Sequence, residues 1–166
     1  MVNKVILDSD IASQFAKIER ISALKKLFSK HKLVITPKIY QELSVALDYG
    51  YDFPNNIFDE IAVLNTKEEE EKKFEKMLRG EVKDLGRGEV EAIIICENRN
   101  YIFCSFDKRA IDFAKEKGVK TIGLHVILRS FWKSGLVEKK DVKKMIDEIE
   151  EKDRTRIKNK EKIFTD

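Results

Sequence analysis

Short apolar runs that do not alternate limit the fold of this chain more than any other feature. VIL at 5–7, LVIT at 33–36 and YIFC at 101–104 are continuous, whereas a strand with one wet face would alternate apolar and polar residues. Strands of that kind are covered on both faces. Five β-rich runs are predicted, at 3–8, 33–36, 61–65, 101–105 and 119–124, with helical periodicity between them. Such alternation builds βαβ units, so the predicted fold class is α/β: a three-layer α/β/α sandwich around a mainly parallel sheet of about five strands.

The helix signals are local. Thr36-Pro37 supplies an N-cap and a first-turn proline before IYQELSVAL, and Gly118 and Gly135 follow KRAIDFAKEK and HVILRSFWKS as C-terminal glycines. Glu68 with Lys72 and Glu69 with Lys73 are spaced to pair on a solvated helix over 66–79. A stripe of Val142, Met145, Ile146 and Ile149 opens a charged helical extension over 138–166, whose last dozen polar residues are expected to fray. With 166 residues and no Gly/Ser-rich linker, one domain is expected, its main body at 1–137 and the extension part of the same unit.

Composition removes several classes. The longest apolar runs, such as AIIIC, are far shorter than the ~20 residues of a membrane span, and the opening MVNKVILDSD lacks a signal-peptide pattern, so a cytoplasmic protein with no membrane partner is expected. Cys96 and Cys104 lie in apolar segments and read as reduced core thiols, and isolated His31 and His125 offer no zinc spacing.

What remains is a set of acids. Asp8 follows the first predicted strand, Asp107 the fourth, and Glu42 and Glu91 lie on helices able to reach the same end of the sheet. In an open parallel sheet ligands bind beyond the strands' carboxyl ends, where the strand order reverses. Isolated acids are most often solvated surface residues, but several converging carboxylates repel one another and point to a hard divalent cation. Metal-assisted phosphodiester hydrolysis is the corresponding chemistry.

ILDSD, TPKIYQEL, LGRGEVEAIII and CSFDKRAIDFAKEKGVKTIG, in this order over roughly residues 3–135, resemble the motifs of the PIN domain. The resemblance implies a Mg²⁺- or Mn²⁺-dependent ribonuclease acting on single-stranded RNA, of the kind found as toxins paired with a small antitoxin, and a homodimer. It places the four family acids on Asp8, Glu42, Glu91 and Asp107, with Ser9 and Ser105 as supporting hydroxyls. Asp10, where the family often has Asn or Ser, is a candidate fifth ligand. Glu89 and Glu91 compete for the third position, since two residues turn a helix by ~200°; Glu91 is chosen because Ala-Ile-Ile follows it, and Glu89 is assigned to the helix dipole.

Net charge is only +3, but residues 17–38 hold seven Lys or Arg against the single acid Glu19. Lys17, Arg20 and Lys38 in that segment, with Lys108 and Arg109 after Asp107, are the expected RNA-contacting cations. The aromatics Tyr49, Tyr51, Phe53 and Phe58, and the pair Phe131 and Trp132, read first as core or dimer packing and second as base-stacking platforms. Two other functions compete. ILDSD also resembles the opening of haloacid-dehalogenase phosphatases, with Asp8 as nucleophile and Asp10 as general acid, and a PIN-like module that binds RNA or protein without cutting is the non-enzymatic alternative.

Overall fold

The computed structural model describes residues 3–80, 82 and 84–166; Met1, Val2, Glu81 and Lys83, which fall within the predicted 1–137 span, lie outside the described residues. The chain runs β1 (Asn3–Leu7), α1 (Ser9–Lys17), α2 (Ile21–Leu27), β2 (His31–Ile35), α3 (Pro37–Asp48), α4 (Phe53–Phe58) and β3 (Ala62–Val63). It continues with α5 (Glu68–Arg79), α6 (Arg87–Arg99), β4 (Ile102–Ser105), α7 (Lys108–Glu116), β5 (Thr121–Gly123), α8 (Leu124–Lys133), α9 (Lys139–Lys152) and α10 (Glu161–Phe164). The five strands form one parallel sheet in the order β3-β2-β1-β4-β5.

The order explains the apolar runs. β1 is central, and Val5, Ile6 and Leu7 are fully buried, as are Phe103 and Cys104 of the neighbouring β4. The chain steps from β1 toward β3 in one direction and from β4 to β5 in the other, so right-handed crossovers set the two groups of helices on opposite faces. The reversal falls between β1 and β4, whose carboxyl ends lead into Asp8 and Phe106-Asp107. The α/β/α sandwich predicted from the runs is the observed architecture.

Two expectations change. The end of the chain packs instead of fraying: Ile157 and Ile163 are buried, and the Trp132 indole N–H donates to the Ile163 carbonyl at 2.7 Å. Glu150 holds it further, accepting from the Ile157 amide at 2.9 Å and from Lys160 at 2.8 Å. On α5, Glu68 and Lys72 pair at 3.2 Å as expected, but Lys73 pairs with Glu97 and not Glu69. Phe74 and Met77 bury the inner face of α5 against Val90 and Ile94 of α6. Phe131 is core, and Phe53 and Phe58 are partly buried, but Tyr49 and Tyr51 stand in solvent and serve no core.

Candidate active site

Asp8 caps α1 from the end of β1. Its backbone N–H donates to the Cys104 carbonyl at 2.9 Å, fixing it to β4, and its Oδ1 accepts from the Ile11 amide at 2.8 Å. Its Oδ2 accepts a very short bond from the Ser105 hydroxyl and a longer one, 3.4 Å, from the Phe106 amide. With 1% of its surface exposed, the carboxyl is pushed up to about 7 by burial; the Ser105 and Ile11 bonds oppose that rise, and the charge of Asp10 adds to it.

Ser105 orders the next acid too, because its Oγ accepts from the Asp107 amide at 3.1 Å. Asp107 then caps α7, taking the Arg109 amide at 2.9 Å. Asp10 lies in the first turn of α1, and Ser9, half-buried, opens that helix beside Asp8. Although Asp10 as a residue is exposed, its carboxyl is raised by partial desolvation and then by Asp153, Asp107 and Glu42.

Glu42 reaches the site from α3 through a close helix crossing, where its Oε1 accepts from the Gly88 amide at 2.9 Å. Glycine suits this approach: a Cβ at residue 88 would lie 2.6 Å from Glu42 Oε1 and 3.0 Å from Ile39 Cγ1, so the Glu42 carboxylate would have to move. Gly88 thereby sets the distance between α3 and α6.

The third family acid needs correction. Glu91 is buried and turned away from the other acids, with its Oε1 accepting from the Lys38 amide at 2.9 Å and its Oε2 3.4 Å from Lys38 Nζ, so that it tethers the first turn of α3. Glu89, one step of ~200° away, takes the place expected for Glu91. Burial and then the charges of Asp107, Asp8, Asp10 and Glu42 push its carboxyl up to about 8. Its Oε2 is buried without a hydrogen-bond partner. A lone oxygen in a field of four other carboxylates lacks a positive partner.

Among the described residues no three His, Cys, Asp or Glu side chains converge into a ready coordination set. Like charges with nothing between them keep apart. The fit to a hard divalent cation rests instead on donor chemistry, five carboxylates with no nitrogen or sulfur, and on the orphaned Glu89 oxygen.

The expected cations are dispersed. Lys17 pairs with Asp153 at 2.6 Å, Lys25 with Glu60 at 3.2 Å and Lys38 with Glu91, so much of the basic segment is internally compensated. Arg20 lies beyond the far end of α1 from Asp8, and Lys108 is engaged with Asp112 at 2.9 Å. Arg109 is exposed and makes no ion pair among the described residues. Two residues near the site escaped the sequence: Arg87, at the head of α6 over the Phe74 ring, and Asp153, which acts on Asp10 from the C-cap of α9. Gly88 beside Glu89 was the available signal for the close crossing.

Comparison with known proteins follows this geometry. A family model described as a PIN domain matches residues 4–162. Among solved structures, a PilT N-terminus domain protein from the hyperthermophilic archaeon Sulfolobus solfataricus P2 is 22% identical, covering 76% of this chain and 92% of that one with a TM-score of 0.48. No curated protein matches.

Proposed function

The chain belongs to the PIN-domain family, a family of nucleases, and from that premise we propose that it is a divalent-metal-dependent endoribonuclease cleaving single-stranded RNA. Asp8, Asp10, Glu42, Glu89 and Asp107 are its working carboxylates. The observation that carries this reading is the buried, unpartnered Glu89 oxygen at which the charges of the other four meet.

These acids would hold Mg²⁺ or Mn²⁺, which when bound would supply Lewis acidity and lower the pKa of a water. The chain's own residues do the positioning. Ser105 donates to Asp8 and accepts from Asp107, so one hydroxyl aligns carboxylates from both sides of the switch point. Gly88 fixes Glu42, and Glu91 anchors the start of the helix that carries it. Burial and like charge raise the carboxyls of Asp8 and Glu89 to about 7 and about 8, so binding of a cation there would be coupled to loss of protons.

The test is cleavage of labelled single-stranded RNA in EDTA, Mg²⁺ or Mn²⁺ by the native chain, Asp8→Asn, Glu89→Gln and Glu91→Gln. Metal-dependent cutting lost in the first two variants and kept in the third supports the reading. RNA binding by folded protein with no cutting under any metal would replace it with the non-catalytic module. The phosphatase alternative is set aside because the family differs.

The same chemistry serves a toxin restrained by a small antitoxin or an RNA-processing enzyme, in either case as a cytoplasmic homodimer. Growth arrest on induced expression, relieved by Glu89→Gln, supports the toxin; unchanged growth with altered transcript ends supports processing.

A further inference from the structure

A concavity of about 620 Å³ is lined on one side by Glu42. Its wall is formed where α3 ends. Gly50, at φ +89°, lets the helix close with bonds from the Tyr51 amide to the Ala46 carbonyl at 3.0 Å and from the Gly50 amide to the Leu47 carbonyl at 3.0 Å. That closure holds two tyrosines on a rigid turn, yet Tyr49 is 78% exposed and Tyr51 63%. Tyr51 leans toward Phe53 at a ring-centroid distance of 6.3 Å, and Lys17 Nζ stands 4.9 Å above the Phe53 ring.

The opposite rim comes from the end of α9, where Asp153 is held by Lys17 at 2.6 Å and by Gln14 at 3.3 Å. On either side of Asp153, Lys152 and Arg154 are exposed and line the concavity, Arg154 from a left-handed backbone at φ +49°. Non-glycine residues seldom adopt that conformation.

We propose that this concavity is a subsite for one or two unpaired nucleotides flanking the bond held at the acids, with Tyr49 and Tyr51 stacking on bases and Lys152 and Arg154 meeting the backbone. It rests on the reading that the acids act on RNA. Three features favour a nucleic acid strand over a peptide. The concavity is lined by Glu42, one of the proposed working carboxylates, so a strand bound at the acids can extend into it. Two exposed tyrosine rings line the concavity, and sequence-tolerant stacking uses such rings. The rim is cationic where a strand leaving the acids would carry phosphates.

The test is binding, in EDTA at low salt, of a fluorescein-labelled single-stranded octauridylate followed by anisotropy. The Tyr49→Ala/Tyr51→Ala double variant is expected to weaken Kd by about tenfold or more, with Tyr49→Phe/Tyr51→Phe staying near native, since stacking needs the ring and not the hydroxyl. Lys152→Ala/Arg154→Ala is expected to lower the slope of log Kd against log salt by about 1.4, two phosphates' worth. Native affinity in the double-alanine variant overturns the proposal; if sedimentation then shows that variant losing self-association, the tyrosines form a protein interface. Because this assay needs neither metal nor cleavage, weakened binding alongside absent cleavage would keep the subsite and remove the nuclease, while intact binding with metal-dependent cutting would do the reverse.

Discussion

Asp8 and Glu70 are both buried carboxylates, 1% and 3% exposed, and they titrate in opposite directions. Glu70, on α5 facing α6, is pushed toward its neutral form by burial, but Arg99, with bonds of 2.9 and 2.7 Å, leads a set of donors that together outweigh it. Asn98 at 2.8 Å and the Lys67 amide at 2.8 Å complete its partners, and the carboxyl is held below its ordinary range. Asp8 has neutral donors and acidic neighbours only, and burial wins. Burial alone therefore does not separate an architectural acid from a functional one. The presence of a cation supplied by the protein does.

The comparison breaks most visibly at Arg99. Arg99→Ala leaves Glu70 buried and unpaired, and chemical denaturation should report a loss of about 3–5 kcal/mol, with cleavage per folded molecule unchanged. Within α6, Glu89→Gln should reduce cleavage at least about a hundredfold, as expected for a lost contact to the cation. Glu91→Gln should stay within a few-fold of native activity, its effect falling on stability; equal losses in both would show that the division between the two glutamates is wrong. Gly88→Ala, which crowds Glu42 and Ile39, should cost about 1–3 kcal/mol of stability and lower cleavage without altering the Glu70 pair.

The smallest effect is on pH dependence. Asp8 rises from 3.8 to about 7 and Glu89 from 4.5 to about 8, so the folded chain binds more protons than the unfolded one across that interval. Their stabilising contribution is full below about 4 and is lost as pH climbs through 7 to 8. Melts in EDTA between pH 5 and 9 should fall with pH more steeply for the native chain than for Asp8→Asn, and Mg²⁺ should flatten the native curve. Glu70, with a lowered pKa, contributes the opposite slope, confined to acid pH.

The sheet was legible because burial on both faces writes itself into composition: VIL, LVIT and YIFC carry their own diagnosis. Asp8 and Asp107 followed from it, since a strand's end is a position that sequence can name. Which α6 glutamate faces the other acids was not legible, because it depends on how α6 packs against α3, a crossing where Gly88 meets Glu42 and Ile39 from a distant part of the sequence. The packed tail was missed for a similar reason. Ile157 and Ile163 are lone apolar residues among charges, and their burial depends on Trp132 and Glu150 meeting them in space.

The hydroxyl that joins the two halves of the site has a consequence for biosynthesis. Asp8 and Ser105 are 97 residues apart, so a ribosome adding roughly 5–20 residues per second makes the acid about 5–20 s before its partner. Until β4 is made and docks beside β1, the nascent chain carries Asp8, Asp10, Glu42 and Glu89 without the strand that completes the site. A product terminated before residue 105 has neither Ser105 nor Asp107. On the proposed function, that timing would leave the growing polypeptide without its assembled site while the message is being read.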